Sequence, residues 1–97
     1  MTISVSNKAG STISASINQW GDDGDTKVFN IDDSKTENWD RTDPRGFIMT
    51  VKFQGSERPY FVAAGYAITV TEDQKNPQIP VLTNTAGPAP TILNPLN

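Results

Sequence analysis

The sequence predicts an all-β fold, a small antiparallel β-sandwich of six or seven short strands, on three observations. Apolar residues recur at every second position through much of residues 2–73. Clusters of glycine, proline and aspartate interrupt that alternation at short intervals. No segment carries the 3.6-residue period of an amphipathic helix. A two-residue period buries one face of a strand and solvates the other, and two packed sheets satisfy many such strands at once. Strands and turns at this spacing indicate an antiparallel sandwich or small barrel, and the expected fold is the sandwich, immunoglobulin- or fibronectin-like.

The elements follow in order. Thr2–Asn7 places Ile3 and Val5 in alternation, and Lys8-Ala9-Gly10 can turn it into the next strand as a hairpin. In Ser11–Trp20, Ile13, Ala15 and Ile17 alternate with Thr12, Ser14, Ser16 and Asn18. A glycine–aspartate loop follows at Gly21–Asp25, then Thr26–Ile31 with Phe29 and Ile31. Asp32–Lys35 reads as a further turn. In Glu37–Arg41 the residues Glu37, Trp39 and Arg41 share one face, and Thr36, Asn38 and Asp40 the other. Either face is polar, so an edge strand or loop is expected there, with Trp39 at least partly accessible.

Asp43-Pro44-Arg45-Gly46 has an acid, a proline and a terminal glycine where a type I turn wants them. It feeds the cleanest strand of the chain, in which Phe47, Met49, Val51 and Phe53 alternate with Ile48, Thr50 and Lys52. Gln54–Glu57 closes the next hairpin. Pro59 pushes Arg58–Val62 to a sheet edge or a strand start. Last, Tyr66, Ile68 and Val70 alternate with Ala67, Thr69 and Thr71.

Composition shifts after Asp73. Residues 74–97 hold Pro77, Pro80, Pro88, Pro90 and Pro95, with Lys75 their only charge. Proline cannot donate to a ladder, so this stretch reads as an extended, polyproline-like or disordered C-terminal segment. Its Ile79, Val81, Leu82, Ile92, Leu93 and Leu96 need cover all the same. The expected organisation is therefore a sandwich over 1–73 and an extension over 74–97 that packs on it or on a neighbouring protomer.

The 97 residues contain no cysteine and no histidine. Disulfides, thiolate or imidazole metal sites, and Ser–His or Cys–His nucleophiles are thereby excluded. Asp, Glu, Lys and Tyr remain as proton carriers, yet they form no catalytic or cofactor motif, and the reading is a non-enzyme without a cofactor. Net charge is −3 and pI about 4.6. That argues against nucleic acid as a partner, which asks for a basic face. Residues 22–43 carry −5 of this charge, and the rest of the chain is positive by 2. No run approaches transmembrane length, the N-terminus lacks a signal-peptide core, and no Asn-x-Ser/Thr sequon occurs. The expected location is cytoplasmic, or secreted without a signal peptide of the usual kind.

Two tryptophans, each beside an acidic loop, are the candidate binding residues. Trp39 sits within the alternating charges Asp40, Arg41, Asp43 and Arg45, and Trp20 adjoins Gly21–Asp25. A sugar presents apolar C–H faces and many hydroxyls, so its site needs an aromatic platform with planar donors and acceptors. Trp39, Arg41, Asp43 and Arg45 supply such a set, with Trp20 or Tyr60 as further platforms. The carboxylates Asp22, Asp23 and Asp25 could attract a hard cation, although their spacing matches no EF-hand and a solvated turn explains them as well.

Within this stretch, Asn38-Trp39-x-Arg41-x-x-Pro44-x-x-Phe47-Ile48-x-Thr50-Val51-x-Phe53 resembles the fungal immunomodulatory proteins, small glycan-binding lectins of basidiomycetes with a fibronectin-like sandwich. The pattern covers about a sixth of the chain. The resemblance implies a sugar site containing Trp39 and Asp43. The family's acidic residue after the aromatic–isoleucine pair falls on Met49 here, and its N-terminal dimerisation helix is replaced by the strand-like Ile3-Ser4-Val5-Ser6. In style, a leaderless and cysteine-free β-protein is also similar to fruiting-body lectins and small cytolysins of fungi.

The function expected from all this is carbohydrate binding, a lectin-like role in fungal defence with glycans as partners. A membrane-active, cytolysin-like protein ranks below it, because no basic amphipathic segment is present. A third reading is a self-assembling protein, a homo-oligomer joined by its proline-rich tail.

Overall fold

The computed structural model describes residues 2–20, 26–76 and 79–97. They form nine strands: β1 (Thr2–Lys8), β2 (Ile13–Ile17), β3 (Phe29–Ile31), β4 (Thr36–Asp40), β5 (Phe47–Phe53), β6 (Ser56–Val62), β7 (Ala67–Glu72), β8 (Pro80–Asn84) and β9 (Thr91–Leu93). Among the described residues there is no helix. One sheet has five strands in the order β4-β1-β7-β8-β9, and the other has four in the order β3-β2-β5-β6.

The alternation read from the sequence is what builds the core. Ile3 and Val5, Ile13, Ala15 and Ile17, Phe47, Met49, Val51 and Phe53, and Ile68 and Val70 are all buried and belong to one cluster drawn from both sheets. Their neighbours Ser14, Ser16, Thr50 and Lys52 stand on the outside. The β5–β6 hairpin forms as expected, through Gln54 and Gly55 with φ of 53° and 83°. Positive φ at both central residues matches the twist of the flanking strands. Pro59 lies in β6, an edge strand, and its carbonyl accepts a hydrogen bond from the Leu96 amide (2.9 Å).

Three expectations change. First, β1 and β2 are no hairpin. They belong to different sheets, and β1 pairs instead with β4 antiparallel and β7 parallel. The crossing is organised by Asn7, fully buried. Its Nδ2 donates to the carbonyls of Ser11 (2.7 Å) and Ile31 (2.8 Å), and its Oδ1 accepts from the Ala9 amide (2.9 Å). A buried amide with its partners in place satisfies the backbone that a sheet-to-sheet crossing leaves unpaired.

Second, the C-terminal stretch enters the five-stranded sheet. β8 pairs with β7 from Ile68↔Asn84 to Glu72↔Pro80, and β9 pairs with β8. Pro80 stands at the start of β8, and Pro88 and Pro90 fall in the loop before β9. The prolines bracket the ladders and leave Val81–Asn84 free to donate. Leu82 is buried in the common core, so the sheet extends past residue 73. Pro77 lies outside the described residues.

Third, β4 is an edge strand as expected, yet its tryptophan is not accessible. Trp39 is 2% exposed. Its ring meets Phe29 of β3 edge-on, with centroids 5.7 Å apart, where the edges of the two sheets come together. The polar-looking strand turns its Glu37–Trp39 face inward because that face carries the one side chain large enough to close this edge.

Candidate functional site

The candidate site lies at the end of the four-stranded sheet, around the turn from Asp43 to Gly46. The turn is closed by the Gly46 amide on the Asp43 carbonyl (3.3 Å), with Gly46 at φ +85°. Asp43 caps it from within, its Oδ1 accepting the Arg45 backbone amide (2.9 Å). The same carboxylate holds the Arg45 side chain. Nε donates to Oδ1 (3.0 Å) and Oδ2 (3.2 Å), and Nη2 donates to Oδ2 (2.7 Å). These charge-assisted bonds hold the Asp43 carboxyl below its ordinary range and push the Arg45 guanidinium higher still.

So fixed, the guanidinium carbon of Arg45 lies 3.7 Å from the centre of the Trp20 ring. The indole is anchored by its own hydrogen bond, Nε1 donating to the Gly46 carbonyl (2.7 Å). A planar cation over the indole face, with the ring edge pinned to the turn, is a preorganised stack. Beside it, Ile48 and Phe61 face each other across β5 and β6 on the outer side of the sheet. Trp20, Ile48 and Phe61 are 36%, 40% and 45% exposed. With Asn18 and Arg45 they line a shallow depression of about 270 Å³.

Gly46 makes this packing feasible. A Cβ at that position would fall onto Cε1 and Cζ of Phe61, so the ring lies directly over the glycine. One residue thus supports Phe61 and, through its carbonyl, Trp20.

Of the six candidate residues, the structure brings together Trp20, Asp43 and Arg45. It withdraws three from the surface. Trp39 is in the core, and its Nε1–H is buried without an acceptor among the described residues. Tyr60 points inward from β6 and is 1% exposed, and burial pushes its phenol pKa up. Arg41 is 3% exposed and does structural work. Its Nε donates to the Asn18 carbonyl (3.0 Å), Nη2 to that of Ile17 (3.0 Å) and Nη1 to that of Asp40 (3.3 Å). It also sits over the Phe47 ring at 5.9 Å. By gripping the end of β2, Arg41 positions the chain that carries Trp20.

The inward placement of Trp39 and Arg41 overturns the accessible platform expected at residue 39. Asp22, Asp23 and Asp25 lie outside the described residues. Among the described residues, no group of three or more acids is placed to hold a metal ion, and no helix is long and apolar enough to cross a membrane.

Sequence reasoning missed Asn18, Ile48 and Phe61 as surface residues of the site. The signal was present in the strand phase, since Ile48 and Phe61 fall on the outward side of β5 and β6. Asn18 fixes the junction, its Oδ1 accepting the Ile48 amide (2.7 Å). Comparison of the chain with family models, curated proteins and solved structures finds no match.

Proposed function

We propose that this is a non-catalytic carbohydrate-binding protein, and that the Trp20–Arg45 stack with Phe61 and Ile48 is its sugar-contacting surface. The carrying observation is an exposed arginine–indole stack held by Asp43 and set beside a second exposed ring. Such a surface offers flat apolar contact to the C–H faces of a pyranose. Arg45 is 61% exposed at its side chain and leaves its Nη1 donors unspent among the described residues, which suits sugar hydroxyls. Asp43 cancels the arginine's charge, so the site presents hydrogen-bonding groups with little net field. The lectin-like pattern noted at residues 38–53 supports the same ligand class through Asp43, while its tryptophan serves the core.

Glycan-array screening followed by titration with the best hit tests this reading. Trp20→Ala and Arg45→Ala should each weaken binding at least tenfold while leaving thermal unfolding cooperative. Binding unchanged in both variants, or an array without hits, removes the proposal.

A second reading has its own observation. Exposed Trp20, Ile48 and Phe61 next to an arginine also resemble a patch that sits at a lipid headgroup layer. Co-sedimentation with liposomes of neutral and anionic lipid separates the two. A sugar-binding protein stays in the supernatant, and a membrane-active one pellets and loses that behaviour in Phe61→Ala.

A further inference from the structure

We infer that the sugar-binding surface continues along the outer face of the four-stranded sheet, and that its ligand is a linear, uncharged polysaccharide chain lying in that groove rather than a single terminal sugar. The inference rests on the carbohydrate reading above and extends it in ligand class.

The registers of the sheet define the groove. Outward residues of β2 and β5 form successive rows, Ser14 opposite Lys52 and Ser16 opposite Thr50, and Asn18 lies beside Ile48. Outward residues of β6 extend each row, with Glu57 opposite Lys52, Pro59 opposite Thr50 and Phe61 opposite Ile48. The rows therefore lead from Lys52 and Glu57, past the small hydroxyls, to the aromatic end. From Lys52 to Phe47 is five residues along β5, or about 17 Å at the rise of an extended strand. That distance exceeds what one sugar ring can occupy.

Side-chain size makes the face concave. Ser14, Ser16 and Thr50 are short and form a floor, while Val28, Lys52 and Glu57 rise around it, enclosing a depression of about 440 Å³. The aromatic depression adjoins it through the next row, Asn18 and Ile48. The floor carries hydroxyls, and those of Ser16 and Thr50 bond to no other described side chain. Small hydroxyls leading from an aromatic grip suit a polyhydroxylated chain. An apolar partner would leave these groups unpaired.

Charge selects within that class. The face carries Arg45 against Asp43 at one end and Lys52 against Glu57 at the other, so its formal charge is zero. The chain as a whole is at −3. An acidic polysaccharide finds no net positive charge on this face and meets the repulsion of a chain at −3, whereas a neutral one loses nothing.

The test uses the full chain and isothermal titration calorimetry with cello-, chito- and laminari-oligosaccharides of two to six units, plus oligogalacturonates of equal length. In the series that binds, affinity should rise at least tenfold from the dimer to the longest chain. The double variant Lys52→Ala/Glu57→Ala, which leaves net charge unchanged, should remove most of that gain and leave the dimer unaffected. Thr50→Val should act in the same direction. Affinity already complete at the dimer overturns the groove and leaves the aromatic site standing. Tighter binding of oligogalacturonate than of neutral chains overturns the neutral-ligand assignment. If no series binds, the carbohydrate reading falls and the groove with it.

Discussion

The Phe61 ring lies over Gly46 so closely that no side chain fits between them, and the same glycine accepts the Trp20 indole hydrogen bond at 2.7 Å. Gly46→Ala must therefore strain a backbone at φ +85° and displace Phe61 as well. Gly55 provides the control, with φ +83° and nothing near its missing Cβ. We expect Gly55→Ala to cost about 1 kcal/mol from conformation alone, and Gly46→Ala about 2–3 kcal/mol. Urea unfolding measures both. Equal costs would mean that the ring gives way freely and that Gly46 is only a turn residue.

The two tryptophans should separate in fluorescence, since one is 36% exposed and the other 2%. Acrylamide should quench one population in the wild type. Trp20→Phe should abolish the quenchable fraction, and Trp39→Phe should preserve it. Stability should sort them the opposite way. Trp39→Ala opens the edge where it meets Phe29 and should cost about 3–5 kcal/mol. Trp39→Phe keeps an aromatic contact and removes a buried N–H that has no acceptor among the described residues, so its cost should be about 1–2 kcal/mol.

Acid should loosen the site late. The Arg45 bonds lower the Asp43 carboxyl pKa in the folded chain. A depressed carboxylate contributes its stabilisation above the unfolded pKa, and loses it as pH falls through the folded value. The Arg45–Trp20 stack should thus persist from neutral pH through mild acid and relax only below the ordinary aspartate range. Carboxyl titration by NMR checks this, with the Asp43 midpoint moving up in Arg45→Ala. An unchanged midpoint in that variant would show that the arginine does not hold the carboxylate in solution.

Asn7 should be among the most sensitive polar positions. It is fully buried and serves two carbonyls and one amide at the crossing from β1 to β2. Asn7→Ala leaves these groups unpaired inside the protein, and we expect a loss of about 3 kcal/mol or more. Asn7→Asp keeps the acceptor for Ala9 but faces two carbonyls with a carboxylate, so it should destabilise further as pH rises. Thermal unfolding across pH checks both.

The site was legible in part, and for local reasons. Asp43, Pro44 and Gly46 announce their turn through residue type, and Asp43 and Arg45 meet within it because they are two positions apart. Trp20 joins them from 26 residues upstream of Gly46, through a contact that no spacing encodes. Trp39 and Arg41 misled because their strand is polar on both faces, so alternation could not say which side turns inward. The proline-rich stretch misled because composition counts prolines without showing that they fall at strand starts and in loops.

Alternation determined the all-β class and the inward residues of β2, β5 and β7, and residue type determined the two tight turns that flank β5. These depend on each residue and its nearest neighbours along the chain. Tertiary structure alone decided that β1 crosses to the other sheet, that β7 runs parallel to it, that β8 and β9 complete that sheet, and which tryptophan meets water. Each of those outcomes depends on packing between segments distant in sequence, where volume and hydrogen-bond completion decide among arrangements that the local pattern leaves equal.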